Sequence, residues 1–253
     1  MFKKVLSSMV APVTLAVAGV WLCSNALAQM PGGSPGGVNA ALTQLFGKNN
    51  TFTAKAQMRA LDKDKAELVS GPLDFAMLAG NVRVDVDISQ LKSKQMPAET
   101  LASLKQYGME KIASVFRADK KVMYLIYPAL QICLDSPLPK EESDSIAHPP
   151  KFTTTELGRE TLDGVAVVKN KIGYTDAKGE EHNAYTWNAP SLKGFPLQIQ
   201  TDEKGNTLIL RLSDVKLSKP DAKLFELPAG YEKFADMQAM MQAVMKKMLG
   251  ADK

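Results

Sequence analysis

The stretch TFTAKAQMRALD alternates apolar and polar residues with a period of two. Phe52, Ala54, Ala56, Met58 and Ala60 fall on one side, and Thr53, Lys55, Gln57 and Arg59 on the other. Only extended backbone puts every second side chain on the same face, so the segment reads as a half-buried strand. The same pattern recurs along the chain. ELVSGPLDFAMLAGNVRVDVDI reads as a long hairpin turning at Gly80-Asn81, with Val82, Val84, Val86 and Ile88 inward and Arg83, Asp85 and Asp87 outward. In KKVMYLIYPALQICL, Val122, Tyr124 and Ile126 alternate with Met123, Leu125 and Tyr127, so both faces are apolar. That predicts a strand covered on both sides, by a helix on one and a cavity on the other.

PLPKEESDSIAHPPK, from Pro137 to Lys151, reads as a polar, proline-rich loop. After it, LDGVAVVKNKIGYTD and EHNAYTWNA flank DAKGEE, and GFPLQIQTD and TLILRLSDVKL flank DEKGN. Each turn has a glycine where a tight hairpin needs positive φ. Roughly nine or ten strands result, in one antiparallel, curled sheet.

Three segments change to helical spacing. Val38, Leu42, Leu45 and Phe46 mark a short amphipathic helix stopped by Gly47. In MPAETLASLKQYGMEKIASVF, Leu101, Leu104, Gly108, Ile112 and Val115 share a helical face, and Pro97 suits a first turn. FADMQAMMQAVMKKMLG predicts a third helix, Phe234 to Leu249. On it Met237, Met240, Met241, Val244, Met245 and Met248 form one stripe with Phe234 beside it. The fold class is therefore α+β, mainly β.

The first residues read as an export signal over 1–28. Lys3 and Lys4 precede an apolar run from Val10 to Leu22, and Ala26-Leu27-Ala28 supplies the small residues of a cleavage site before Gln29. Trp21-Leu22 is too bulky to make Cys23 a lipidation site. Residues 29–37, QMPGGSPGG, read as a flexible linker, and 38–253 as a single domain. The formal charge of +4 drops to +2 once Lys3 and Lys4 are removed, and no basic stripe appears, so nucleic acid is not expected as a partner. Cys133 is then the one cysteine left, which leaves no internal disulfide and predicts a buried, unreactive thiol.

The chain carries no G-x-S-x-G elbow, no H-E-x-x-H and no phosphate-cradling glycine loop. Ser143, Asp144, Ser145 and His148 cluster without an oxyanion hole, and His182 lies beside Glu180 and Glu181 at a hairpin tip. No catalytic residue, resident metal or cofactor is expected. The methionine stripe admits three readings: thioether ligands for Cu(I), ordinary packing, or an adaptable apolar face over a cavity. Lys246, Lys247 and Lys253 allow a weak peripheral contact with an anionic membrane.

LGRETLDGVAVVKNKI, YTWNAPSLKGFPLQIQTDEKGNTLILRLSDVKL and PDAKLFELPAGYEKF together resemble the layout of the LolA/LolB/RseB-like superfamily of periplasmic proteins. The similarity is greatest to its branch of unknown function. It rests on the Gly164 turn, Trp187 closing a strand, GFPL at Gly194 to Leu197, DEKGN and the closing LFELPAGY, over about residues 150 to 234. The resemblance implies an incomplete antiparallel β-barrel, or half-barrel, with helices in or over its concave face. It implies a lipid, an acyl chain or a lipidated protein as partner, or a sensor domain with a filled core and no lipid. A latching arginine belongs to that layout; Arg59 and Arg83 lie on candidate strands outside any recognisable motif. A hydrophobic cavity would be lined by Phe52, Phe75, Met77, Met123, Leu125, Trp187, Phe195 and Leu210. The lid would be the helix bearing Phe234, Met237, Met241, Met245 and Met248. A periplasmic monomer is expected. N-terminal sequencing of the secreted form should begin at Gln29; a chain still starting at Met1, or carrying lipid on Cys23, would overturn that expectation.

Overall fold

The structure is a computed structural model that describes residues 40–94, 96–175, 179–203 and 205–248, without the side chains of 203, 247 and 248. The signal and linker expectations lie outside these residues. Two antiparallel meanders make one open sheet. The first comprises β1 (Thr51–Leu61), β2 (Glu67–Leu78), β3 (Asn81–Asp87), β5 (Lys111–Arg117), β6 (Val122–Tyr127) and β7 (Ile132–Pro137), with the two-residue β4 (Lys92–Ser93) paired to β2. The second comprises β8 (Phe152–Leu162), β9 (Val165–Thr175), β10 (Glu181–Ala189), β11 (Phe195–Glu203) and β12 (Asn206–Lys216). They meet along β1–β12, and β13 (Glu232–Phe234) adds to β7 in parallel, giving the order β13-β7-β6-β5-β3-β2-β1-β12-β11-β10-β9-β8. β8 and β13 remain as edges, so the sheet does not close. β8 is exposed along nearly its whole length, and a bulge between Glu156 and Gly158 together with charged side chains blunts that edge.

The tight turns follow the chemistry of the chain. Ala79 and Gly80 (φ 51° and 87°) and Asp163 and Gly164 (φ 49° and 80°) supply the paired positive φ that a two-residue hairpin requires. The segment expected as one strand, KKVMYLIYPALQICL, is two. Pro128 opens a 3-10 turn, Pro128–Leu130, and Gln131 (φ 53°) reverses the chain into β7. Pro190–Leu192 and Lys193 (φ 58°) make the same device between β10 and β11.

Four α-helices are described: α1 (Ala40–Gln44), α2 (Ala98–Gln106), α3 (Lys140–Ala147) and α4 (Met237–Met248). α2 is shorter than its periodicity predicts. Gly108 (φ 67°) ends it, and Ile112 and Val115 point to opposite faces of β5. A helical spacing and a strand with two buried faces look alike over so short a run. α3 replaces the expected loop, because Lys140 to Ala147 holds no proline and Pro139 sits just before its first turn. α4 begins at Met237, not Phe234. Asp236 caps it by accepting from the Ala239 N–H at 2.7 Å, and Phe234 belongs to β13.

Both faces of β5, β6 and β7 are buried, as their doubly apolar pattern requires. On the inner face lie Leu125, Tyr127, Ile132 and Leu134, under α2 and α4. On the outer face lie Ala113, Val115, Tyr124, Ile126 and Cys133, under Phe225 of the 3-10 turn Ala222–Phe225. The second cover is thus a strap of chain. Cys133 is fully buried, burial pushes its thiol pKa up, and its Sγ lies 3.6 Å from the Glu232 carbonyl it donates to.

Two arginines hold that strap. Arg83 donates to the Leu224 carbonyl at 2.9 Å and Arg117 to the Phe225 carbonyl at 2.8 Å. Each is braced by a carboxylate two residues further along the chain: Asp85, on β3, at 2.6 and 2.7 Å, and Asp119, in the turn after β5, at 2.7 and 2.8 Å. Arg117 also pairs with Glu226 at 2.7 Å, which Lys120 shares at 2.8 Å. The Arg117 guanidinium holds Asp119 below the usual carboxylate range; Lys120, and then Arg117, do the same for Glu226. Arg117 itself is shifted upward, chiefly by Asp119.

Both carboxylates are lowered in the folded state, so their stabilisation is complete above the ordinary unfolded value of about 4 and is lost as pH falls through the lower folded values. Both are about half exposed, so solvent screening keeps each ion pair modest. Arg117→Ala should cost about 1.5–3 kcal/mol, mostly through the buried bond to the strap. Urea unfolding at neutral pH and again near pH 3 checks this: the gap between parent and variant should shrink in acid. An undiminished gap would place the whole effect in the bond to the Phe225 carbonyl and its packing, with no share from the two carboxylates.

Candidate functional site on the inner face

The alternation in β1 aims Phe52, Ala54, Ala56 and Met58 at the same side as Phe75 and Met77 of β2 and Leu208, Leu210 and Leu212 of β12. Directly opposite residues in an antiparallel ladder share a face, so Leu210 carries this surface to Ile199 of β11 and Thr186 of β10; Phe195, Leu197 and Trp187, which adjoins a register shift in that ladder, belong to the same buried cluster. β1 and β11 stand two strands apart, about 9–10 Å in a flat sheet. Yet the Phe52 and Phe195 ring centroids are 4.8 Å apart, at 81°. The side chains converge because the sheet curls around this face. Phe46, just after α1, inserts its ring 4.9, 5.5 and 5.8 Å from Phe52, Phe75 and Phe195. Each such pair adds about 0.5–1.5 kcal/mol beyond area burial.

All eight residues expected to line a cavity are buried on this face. Phe52, Phe75, Met77, Met123, Trp187, Phe195 and Leu210 belong to one cluster. Leu125 belongs to its neighbour, with Leu134 and the α4 residues Met240, Met241 and Val244. α1 and α3 cover the first cluster with Leu42, Phe46, Leu138 and Ile146, and Glu142 accepts from the Ala40 N–H at 3.0 Å to join the two helices. Of the expected lid residues, Met241 is buried, Met237 and Phe234 are partly buried against the second cluster, and Met245 is partly exposed. The Met248 side chain lies outside the described residues. Met240, which is fully buried, carries more of the packing than Met245.

The border at Trp187 is polar. Its indole N–H donates to Glu160 at 3.0 Å, and Lys169 sits 4.9 Å over the ring while pairing with the same carboxylate at 3.8 Å. The histidines are elsewhere. His182 stacks on Tyr174 at 5.0 Å, and the His148 N–H closes α3 on the Asp144 carbonyl at 2.8 Å. Ser143, Asp144 and Ser145 lie along α3, with no buried side chain. Among the described residues no group of three or more His, Cys, Asp or Glu could hold a metal ion, and no helix is long and apolar enough to cross a membrane.

Sequence reading missed the arginine grip on the strap and a second hollow. The first has a signal in hindsight: Arg83-Val84-Asp85 and Arg117-Ala118-Asp119 each set a cation and an anion two residues apart. Arg59, the other candidate latch, instead pairs with Glu67 at 2.9 Å at the surface. The hollow, of about 580 Å³, lies on the outer face between Lys55, Asp74, Arg83, Asp85, Asp214 and Lys216. Asp214 adopts φ 50° at a bulge in the β1–β12 ladder, which the sequence does not announce.

The molecule is an open antiparallel half-barrel with short helices on its inner face. No family model and no curated protein matches the chain. Among solved structures it is similar to the Mycobacterium tuberculosis lipoprotein LppX, at 8% identity over 70% of this chain and 91% of that one, with a TM-score of 0.38. It is similar also to the LolA superfamily protein NE2245 from Nitrosomonas europaea, at 12% identity over 75% and 98%, with a TM-score of 0.34. A third is the Pseudomonas aeruginosa MucA/MucB complex, at 12% identity over 76% and 61%, with a TM-score of 0.36. The superfamily that the second half of the sequence resembles is thus among the structural neighbours. Likenesses this distant carry nothing about ligand or partner.

The burial of α4 sets a graded expectation. Met240→Lys should destabilise by several kcal/mol, because it puts a charge into a fully buried site, and Met245→Lys should cost far less. Met241→Leu should cost under about 1.5 kcal/mol, since volume is conserved. Thermal unfolding of the three variants checks the order; equal losses would mean that α4 does not pack as described.

Proposed function

We propose that residues 38–253 act as one exported binding domain, without enzymatic activity, that holds a lipid, an acyl chain or a lipidated protein against the inner face of the sheet. The observation that carries this reading is the apolar surface running from Leu134 to Trp187, closed by helices of only 5, 9, 8 and 12 residues. Helices so short are marginal alone and stay formed through packing. Swinging α1 aside exposes Leu42 and Phe46, at about 2–3 kcal/mol each. A long acyl chain entering in their place gains about 0.8 kcal/mol per buried CH₂, on the order of 10 kcal/mol in all. The surplus of a few kcal/mol gives binding weak enough to permit release. Phe52, Phe75, Met77, Met123, Leu125, Trp187, Phe195 and Leu210 form the surface in contact with the chain. α1 and α3 are its cover, and α4, with Met237, Met241, Met245 and Met248, is an adaptable flank. The location that fits is the periplasm, and the protein acts as a monomer.

One observation favours a second reading, a sensor or interaction domain with a filled core. Phe46, Phe52 and Phe195 already occupy the centre of the inner face, each no more than 1% exposed. Phe46→Ala separates the two. It should destabilise by about 3–5 kcal/mol in either case. If the face receives acyl chains, a fluorescent fatty-acid probe should bind the parent, and bind the variant several-fold more tightly because the ring no longer competes. Absence of probe binding to both proteins, with no lipid in solvent extracts of the parent, would leave the interaction domain.

A further inference from the structure

The second meander carries a pit on its outer face. Gly173 of β9 lies opposite Thr153 of β8 and Asn183 of β10. Two residues along β9, Lys171 lies opposite Thr155; two residues the other way, Thr175 lies opposite Glu181. Phe152 pairs with Tyr174, so Lys151 extends β8 beside Thr175. Strand alternation puts all of these side chains on one face. Asn183 pairs with Asp202, and Tyr185, the partner of Lys171, pairs with Gln200; that face therefore bears Ile209 and Arg59 and turns away from Leu210 and Met58. The centre of this grid has no side chain and its neighbours do, which leaves a hollow of about 390 Å³. It reaches from β8 to β10, about 9–10 Å, and along four residues of β9, about 13 Å. A Cβ on Gly173 would lie 2.9 Å from the Thr153 hydroxyl and 4.0 Å from the Asn183 amide oxygen, so both atoms border the pit directly.

The walls mix donors and acceptors. Three threonines offer hydroxyls, Asn183 an amide, Glu181 a carboxylate, and Lys151 and Lys171 two ammonium groups. The Thr153 hydroxyl donates to the Gly173 carbonyl at 3.2 Å, which leaves its lone pairs to accept. Among the described residues the side chains of Thr155, Lys171 and Asn183 make no hydrogen bond, and neither lysine has a carboxylate within salt-bridge distance. We propose that the pit is a binding site for an acidic saccharide, a sugar that carries a carboxylate. A simple anion such as sulfate offers only acceptors and would have to lie beside Glu181. Sugar hydroxyls both donate and accept, so they donate to Glu181 and Thr153 and accept from Asn183 and Thr155. Two lysines against one carboxylate leave a positive charge over, and the acid group of the sugar compensates it with charge-assisted bonds. The site lies across the sheet from the inner face, so it stands or falls independently of acyl binding.

The test titrates the full chain at low salt with two disaccharides, digalacturonate and maltose, and follows the amide NMR shifts. Digalacturonate should move the Gly173 amide resonance and bind roughly tenfold more tightly than maltose, a preference that fades as salt screens the lysines. The double variant Lys151→Gln/Lys171→Gln should lose that preference and keep its affinity for maltose. Both lysines are exposed, so this variant should unfold at the same temperature as the parent. Gly173→Val should abolish binding of both sugars by filling the pit; Gly173 does not hold a positive φ, so a strand side chain is accepted there once the Thr153 hydroxyl rotates away. Equal binding of the two sugars to the parent, binding of neither, a preference that survives loss of the lysines, or binding that survives Gly173→Val would each overturn the site. Sulfate binding as tightly as digalacturonate would assign the pit to a simple anion and overturn the saccharide.

Discussion

The convergence of Phe46, Phe52, Phe75 and Phe195 on one side of the sheet is the contact on which the rest depends. Two of these rings come from the first meander, one from the second, and one from the segment that precedes β1. Their packing draws β2, β1 and β11 into a curve and so decides which face is inner. Curvature then sets what can cover each side. The inner face takes short helices, whose bulky apolar residues fit a concavity. The outer face of β5 to β7 takes an extended strap, whose Phe225 lies against small and branched side chains. The arginines fix the strap from beneath, and their bracing carboxylates keep both guanidinium groups aimed at main-chain oxygen.

The inner face is legible in the sequence because strand alternation is a local property. Phe52, Ala54, Ala56 and Met58 of β1, Val82 and Val84 of β3 and Leu210 of β12 all lie in one buried cluster. What was not legible depended on distance or on ambiguity. The stretch Ile112 to Val115 satisfies a helical period and a doubly buried strand equally well. Only the pairing of β5 with β3 and β6 decides it. α3 was hidden by the prolines that flank it, although none lies inside. Phe234 fits the methionine stripe by spacing, yet its backbone pairs with β7, a partner about a hundred residues earlier.

The polar row across β8, β9 and β10 was written in the sequence but unreadable without register. Thr153 and Thr155 alternate with Thr154, and Lys169 and Lys171 with Asn170, so each strand alone shows a polar side and gives no hint of what lies opposite. Through Tyr185 and Asn183, pairing puts Thr153, Thr155 and Lys171 on the face of Gln200 and Asp202. The same pairing sets His182 opposite Tyr174, and their rings stack. The character of a half-open sheet is thus decided by which polar residues fall beyond the last cover, a property of strand order more than of composition.

The two meanders touch as sheet only along β1 and β12, where Leu61 lies opposite Thr207. Each meander is assembled from neighbours in sequence, but the seam between them closes a loop of most of the chain, at an entropic cost of about 4–5 kcal/mol. β1 is therefore made first and given its second neighbour almost last. A chain passing through a membrane pore from its N-terminus delivers β12 late, and until then the inner face of β1 lacks half of its surroundings. Completion of the fold is tied to arrival of the far end, so the stable form belongs to the compartment in which the chain comes to rest.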